Sequence, residues 1–178
     1  MTNRLPHLLR SKLLPNPVSI RPVIGLTLTC VALICACSPK GDLFHDSKLI
    51  PPSGWIQTDS LKWEIPVNSA NDFRYDILLE LRNENWYPYE NIGLELTMLS
   101  PDSTVMDRDT VVYHIANDKG QWTGAGWGSL YQSDFIYREN VMLPDSGTYT
   151  ILIRQAMIDK RIKGINSVGV RIREHDVE

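Results

Sequence analysis

Histidine side chains are the metal ligands and acid–base groups that proteins use most often, and three lie beyond residue 36. They are His45, His114 and His175, and none has a second ligand at a metal-binding spacing such as His-x-x-x-His. His114 lies in a segment that alternates like a strand, so we interpret it as a strand-face residue. We therefore expect no metal site.

Carboxylates are the second group of candidates. Asp102, Asp107 and Asp109 could supply oxygen ligands to calcium, but Arg108 places a guanidinium between two of them and no EF-hand spacing follows. A solvated entry to a strand is the better interpretation. Glycoside hydrolysis needs two carboxylates about 5–10 Å apart. The chain has many acidic residues, but nothing in the sequence selects such a pair.

A glycine- and tryptophan-rich segment, GQWTGAGWGSL, covers residues 120–130. It lacks the Gly-Lys-Ser/Thr of a phosphate loop, and no helix pattern follows it. Gly124, Gly126 and Gly128 leave one face of an extended segment bare, so an aromatic ring or another backbone can lie against it. Serine residues lack a Gly-x-Ser-x-Gly context and a plausible base. We predict no catalytic residue, no cofactor and no small-molecule substrate.

Cys37 is the residue whose chemistry the sequence does predict. A basic segment with Arg4, Arg10, Lys12 and Arg21 precedes an apolar run of about fourteen residues, shorter than the roughly 20 that span a bilayer. The run ends in Ile-Cys-Ala-Cys, with a small residue directly before Cys37. This pattern predicts a bacterial lipoprotein signal peptide over residues 1–36 and an acylated Cys37. A plain signal peptide or a membrane helix with an incidental cysteine is the alternative.

Processing at Cys37 would change both the charge and the thiol content of the chain. It removes four of the 18 basic residues and none of the 21 acidic ones, which leaves a formal net charge of −7. Such a domain is a poor partner for nucleic acid, which is bound through Lys and Arg. All three cysteines lie at or before residue 37, so the mature chain has no disulfide and no free thiol.

The mature chain divides into two predicted parts, a tether over residues 37–60 and a β-sandwich domain over residues 61–178. Pro39, Gly41, Pro51, Pro52 and Gly54 indicate the tether. Beyond it, apolar residues recur with a period of two, which predicts about seven strands. Their approximate ranges are 63–67, 75–82, 92–98, 110–115, 135–143, 149–154 and 168–172.

Short strands with turn residues about every 8–15 positions favour an all-β fold, an antiparallel β-sandwich of immunoglobulin-like type. A barrel is the alternative. Pro66 predicts that the first of these strands lies at a sheet edge. Residues 156–163 are compatible with two helical turns that end at Gly164.

Aromatic residues provide the one positive signal for a binding surface. Trp86, Tyr87 and Tyr89 fall in a predicted loop, and Trp122 and Trp127 lie among the glycines. Tyr and Trp are enriched at protein interfaces because they bury a large area at low entropic cost. We predict a partner surface at these five residues. Two alternatives remain, that they form the core or cap the sandwich, and that they bind glycans.

A series of motifs resembles the gliding motility lipoprotein GldH family of Bacteroidetes. The series begins with the lipobox, the Ile-Cys-Ala-Cys of residues 34–37, and continues through residues 75–83, YPYEN at 87–91, Asp109-Thr110 and GQWTGAG at 120–126. It ends with Gly147-Thr148-Tyr149, RQAM at 154–157 and residues 163–172. The motifs cover most of the predicted mature chain in order.

The resemblance implies a non-enzymatic cell-envelope lipoprotein needed for gliding and associated with the machinery that also serves type IX secretion. Its partners would be the membrane, through acylated Cys37, and other envelope proteins of that machinery. No run of acidic residues follows Cys37, whereas such a run resembles a surface-export signal in Bacteroidetes lipoproteins. We therefore expect an outer-membrane position facing the periplasm.

Overall fold

The computed structural model describes residues 41–68 and 73–175. The signal peptide and Cys37 lie outside the described residues. All seven predicted strands are confirmed, and four further strands are present. In chain order the strands are β1 Asp42–Leu49, β2 Trp55–Ile56, β3 Leu61–Val67, β4 Arg74–Glu84, β5 Asn91–Leu99, β6 Val105–His114, β7 Ala125–Trp127, β8 Leu130–Met142, β9 Gly147–Gln155, β10 Arg161–Ile162 and β11 Ile165–Glu174. In these two ranges no helix is long and apolar enough to cross a membrane.

Two antiparallel sheets form the sandwich, as the sequence predicts. One has the strand order β1-β11-β4-β8-β7 and the other β3-β9-β5-β6, and β2 and β10 form a separate two-stranded ribbon. Strand β3, which contains Pro66, lies at a sheet edge as expected. An edge strand leaves one row of its backbone groups outside the sheet, so it tolerates the missing N–H of proline.

The core lies between the two sheets and follows the period-two pattern of the strands. In β4, the side chains of Tyr75, Ile77, Leu79 and Leu81 are buried on one face. The facing sheet contributes the matching alternate residues of β3, β5 and β9. These are Trp63, Ile65, Val67, Ile92, Leu94, Leu96, Met98, Tyr149, Ile151 and Ile153. Since successive strand residues point to opposite faces, alternate positions can stay polar and meet water.

The predicted tether is wrong from Asp42 onward. Strand β1 pairs with β11 from Asp42 opposite Arg173 to Leu49 opposite Ser167, and it is an edge strand of the five-stranded sheet. No proline or glycine interrupts Asp42–Leu49, so its backbone is free to complete the ladder. Residues 55–56 also belong to the fold, through the ribbon with β10. The β-sandwich domain therefore includes residues 42–49 and 55–56 of the predicted tether.

The helical turns predicted for residues 156–163 are also absent. This segment contains a series of bends and then β10, which pairs with β2. Side-chain and backbone hydrogen bonds from Gln57, about 100 residues away in sequence, determine its conformation. Such long-range contacts override a weak local helix preference.

Ion pairs join β6 to β8, together with the stacked rings of Tyr113 and Phe135, whose centroids lie 4.3 Å apart. Arg138 in β8 contacts Asp107 through Nε at 2.9 Å and Asp109 through Nη2 at 2.8 Å. The Tyr137 hydroxyl donates to Asp107 Oδ2 at 2.8 Å. Two of the three aspartates that the sequence offers as calcium ligands, Asp107 and Asp109, are therefore partners of an arginine.

Replacing Arg138 with glutamine is expected to lower the free energy of unfolding by about 1 kcal/mol at pH 7. Hydrogen bonds to charged groups contribute about 1.5–3 kcal/mol, and partial exposure reduces that value here. The Arg138 hydrogen bond, followed by the backbone N–H of Thr110, lowers the pKa of Asp109 below its usual value. The Asp109 contribution is therefore present above the ordinary carboxylate range and is lost as the pH falls through the lowered pKa.

Urea unfolding of the purified protein and the Arg138→Gln variant at pH 7 and pH 3 measures this difference. We expect the difference to be smaller at pH 3. Arg154→Gln is the matched control, because its ion pair with Glu95 at 2.6 Å lies on the surface of one sheet and joins only β9 to β5. Equal losses in the two variants, or no change between the two pH values, would contradict the prediction.

Candidate partner-binding site

Three connections meet at one end of the sandwich, which we name the aromatic end. They are residues 85–90, 115–124 and 156–164. Backbone hydrogen bonds tie this end together, from Glu84 N to Gly164 O at 2.8 Å, Asn85 N to Ser129 O at 2.8 Å and Ile115 N to Glu90 O at 2.9 Å. The segments that carry the predicted aromatic residues are therefore neighbours in the fold.

Four aromatic rings form a continuous series at this end. The ring centroid of Tyr87 lies 5.6 Å from that of Tyr89, in an edge-on arrangement, and 6.3 Å from that of Trp122. Trp122 in turn lies 6.1 Å from Tyr131. These separations fall within the favourable range for aromatic pairs. The structure thus brings together three of the five predicted residues and adds Tyr131.

Tyr87 is the buried member of this series. Only 4% of its surface is exposed, and its hydroxyl donates to the carbonyl oxygen of Asn91 at 3.1 Å. Burial, and to a lesser extent the neighbouring Tyr89, raises the pKa of Tyr87 well above its usual value. The structure places Tyr87 in the core, so the prediction that it lies on a partner surface is wrong for this residue.

Trp86 has the opposite orientation and is 57% exposed. Gly164, which has a φ of +88°, packs against both Trp86 and Tyr87. A Cβ atom at Gly164 would lie 2.9 Å from the Tyr87 Cα and 3.3 Å from Trp86 Cζ3. Glycine therefore permits both the left-handed backbone at position 164 and its close approach to Trp86 and Tyr87.

Trp122 and Trp127 lie on either side of the glycines of the β7 region. Trp122 is half-buried and packs against the core, and its backbone forms a bridge with Ala116. The backbone of Trp127 pairs with Leu130 in the β7–β8 hairpin, and its side chain lies outside the described part of the structure. A Cβ atom at Gly126 would lie 2.3 Å from the Tyr131 ring. The prediction that a ring or another backbone can lie against the bare glycine face is confirmed, by the Tyr131 ring at Gly126 and the Gln132 backbone at Gly124.

An apolar groove lies beside this aromatic series, between β6 and the connection after β9. It encloses about 340 Å³. Its lining consists of Tyr89, Asn91, Gly93, Val112, Ala156, Met157 and Ile158. Ile158 is 100% exposed and Val112 58% exposed. The structure thus adds aliphatic residues that the sequence analysis did not identify.

Hydrogen bonds hold the loop that presents Ile158. Gln155, itself buried, accepts from Met157 N at 2.8 Å and donates to Asp159 O at 2.9 Å. Gln57 Nε2 donates to Met157 O at 2.9 Å, and the Tyr89 hydroxyl donates to Asp159 Oδ2 at 2.5 Å. Ile158 is therefore exposed on an ordered loop, and little conformational entropy would be lost when a partner covers it.

The described part of the chain also contains a polar depression. This depression lies on the outer face of the five-stranded sheet and contains three carboxylates, Asp46, Glu80 and Asp134. Glu80 pairs with His45 at 3.0 Å, and Asp134 accepts from Gln132 at 3.1 Å. Across residues 41–68 and 73–175, no group of three or more His, Cys, Asp and Glu side chains could hold a metal ion.

The glycan-binding alternative needs ring faces that are open to solvent. Of the predicted aromatic residues whose side chains are described, Trp86 is exposed, Tyr87 is buried, and Tyr89 and Trp122 are half-buried. Rings that pack edge-on or tilted against one another leave less of each face open to a sugar. The geometry favours a protein surface, in which half-buried aromatic residues flank an apolar groove.

Comparison with known proteins identifies relatives over most of the chain. A family model described as GldH lipoprotein matches residues 42–172. A gliding motility lipoprotein GldH homolog of Christiangramia forsetii is 36% identical over 109 residues, covering 57% of this chain and 67% of the relative. The gliding motility lipoprotein GldH of Flavobacterium johnsoniae is 28% identical over 159 residues, covering 85% and 96%.

Similarity to solved structures is weaker. A tomato aspermy virus structure covers 88% of this chain and 96% of its own, at 11% identity and a TM-score of 0.34. A likeness at this level carries no argument about fold or function.

Proposed function

Because the chain belongs to the GldH lipoprotein family, we propose that it is a lipid-anchored, non-enzymatic assembly component of the gliding motility and type IX secretion machinery. The observation that carries the proposal is the family match over residues 42–172, which includes strands β1 to β10 and most of β11. The lipobox at residues 34–37 lies just before this match and supplies the anchor.

The proposed anchor is a lipid on Cys37, and the proposed position is the outer membrane with the domain in the periplasm. The apolar run before Cys37 is too short to span a bilayer easily, which favours processing and acylation over a membrane helix. The residues directly after Cys37 contain no acidic run, which favours the periplasmic position.

The proposed partner surface is the apolar groove together with Trp86. Its partner would be an apolar segment of another envelope protein of the machinery. Ile158 and Val112 have exposed apolar side chains, and covering them would favour binding by about 25 cal/mol per Å² of apolar surface removed from water. Trp127 is included in the proposed partner surface only because tryptophan is common at interfaces. Tyr87 is buried and would contribute only by packing against the ring of Tyr89.

Deletion of the gene, followed by complementation, tests this function. We expect the deletion strain to lose colony spreading and type IX secretion and the wild-type gene to restore both. Ile158→Ser is expected to restore them poorly although the protein accumulates normally, because a fully exposed side chain contributes little to folding.

Ile136→Ser is the matched control, since Ile136 is an exposed isoleucine on the other sheet and outside the groove. This variant should restore spreading and secretion fully. A deletion strain that spreads and secretes normally would overturn the proposed function. If the Ile158→Ser variant restored spreading and secretion fully, the groove would not be the partner surface.

A further inference from the structure

The distance between the proposed lipid and the fold is short. Strand β1 begins at Asp42, so only residues 38–41 separate it from Cys37. Five Cα–Cα steps span at most about 18 Å even when fully extended. We propose that the end of the sandwich where β1 begins lies against the bilayer surface and that the aromatic end points away from it. This inference rests on the proposed acylation of Cys37.

Strand register identifies which residues share the end of Asp42. Asp42 pairs with Arg173 at the end of β11, and Arg74 at the start of β4 pairs with Met142 at the end of β8. We name this the anchor end. It consists of residues 41–42, 73–74, 100–106, 142–147 and 173–175, with Val67 opposite Gly147 and Leu99 opposite Val105 in the second sheet.

Exposed apolar side chains at the anchor end fit a lipid surface. Phe73, Val105 and Met106 are all exposed large hydrophobic residues. Transfer of such side chains from water into the boundary between headgroups and acyl chains lowers the free energy, which favours membrane binding. Arg74 and Arg173 lie at the same end, where Arg173 contacts the buried Asp76 at 3.6 Å and Arg74 donates to the carbonyl oxygen of Asn140 at 3.4 Å.

Acidic side chains at this end are mostly engaged within the protein. Asp42 pairs with Arg171 at 3.0 Å, and the buried Asp76 contacts His175 at 2.6 Å. Asp102 accepts from the Ser100 hydroxyl and from the backbone N–H of Thr104. Asp145 and Glu174 also lie at this end and carry negative charge. The contact is therefore apolar in origin, and we expect it to depend little on salt.

The position of the aromatic end follows from strand length. Strand β4 has 11 residues between Arg74 at the anchor end and Glu84 at the aromatic end. At about 3.3 Å per residue it separates the two ends by roughly 30 Å. The partner groove would then face the space beyond the membrane, where another envelope protein can reach it.

Energy transfer from single labels to the bilayer tests the orientation. The predicted mature chain has no cysteine after Cys37, whose thiol would be acylated, so one introduced cysteine can be labelled alone. The full-length lipidated protein is reconstituted in vesicles that contain an acceptor lipid. Ser146→Cys places the donor at the anchor end and Asp118→Cys at the aromatic end, and both positions are exposed.

We expect transfer from position 146 to exceed transfer from position 118 at least twofold, at both low and high salt. A ten-residue Gly/Ser insertion between Pro39 and Lys40 should bring the two values closer, because the domain can then turn. Equal transfer from the two positions without the insertion, or greater transfer from position 118, would overturn the orientation.

Flotation and mass spectrometry of the same protein separate this inference from the function on which it rests. If Cys37 carries no lipid and the protein does not float with vesicles, the proposed anchoring fails. If the protein is acylated and floats but the labels show no difference, only the orientation fails.

Discussion

Replacing Tyr87 with alanine is expected to lower the free energy of unfolding by about 3–5 kcal/mol, the usual cost of truncating a buried aromatic side chain. Tyr87 is 4% exposed and contacts the rings of Tyr89 and Trp122, so the substitution opens a cavity under the aromatic end. The carbonyl oxygen of Asn91 also loses its donor. Urea unfolding of the purified variant measures the loss.

Trp86→Ala is the matched control because Trp86 is the adjacent and larger aromatic residue, yet is mostly exposed. Its substitution should change the free energy of unfolding by about 0.5 kcal/mol or less. If Tyr87→Ala were no more harmful than Trp86→Ala, the inward orientation of Tyr87 would be wrong.

Tyr87→Phe separates the hydroxyl from the ring. Loss of one hydrogen bond is expected to cost about 1 kcal/mol at pH 7. Burial raises the pKa of Tyr87, so its contribution is fully present below the unfolded value of 10.0 and is lost as the pH rises toward the folded pKa. The difference between wild type and Tyr87→Phe should therefore shrink above about pH 10.

Strands that bury alternate residues were predictable from the sequence, and strands without that pattern were not. The period of two in β3 and β9 results directly from one face that meets the core. Strand β1 lies at a sheet edge and has only Leu43 and Phe44 packed against the core, so its pattern carries little signal. Its pairing with β11 joins residues more than 110 positions apart, which no local window detects.

The sequence predicted which aromatic residues lie at the candidate site, but not which of their side chains are exposed. The sequence identifies Trp86 and Tyr87 equally, whereas the structure leaves the side chain of Trp86 exposed and buries that of Tyr87. Ile158 gives no sequence signal, because its exposure depends on a loop held by Gln57 and Tyr89 from distant parts of the chain. Exposure of a single side chain is a property of tertiary contacts.

Replacing Cys37 with alanine is expected to move the protein from the membrane fraction to the soluble fraction. Each buried CH₂ of an acyl chain contributes about 0.8 kcal/mol to membrane binding, and stable anchoring needs two such chains or equivalent signals. The remaining contact at the anchor end consists of a few exposed side chains, including Phe73 and Val105, and cannot replace them. Cell fractionation with a metabolic acyl label measures the loss.

Cys35→Ala is the decisive companion, because Cys35 lies two residues earlier in the same apolar run. If the run itself anchors the protein as a membrane helix, both variants stay in the membrane and the short connection to β1 has no bearing on orientation. If Cys37 alone carries the lipid, Cys35→Ala keeps both label and membrane retention, and only Cys37→Ala loses them. The near-UV circular dichroism of the released Cys37→Ala protein should equal that of the anchored protein, because strands β1 to β11 bury their core against each other.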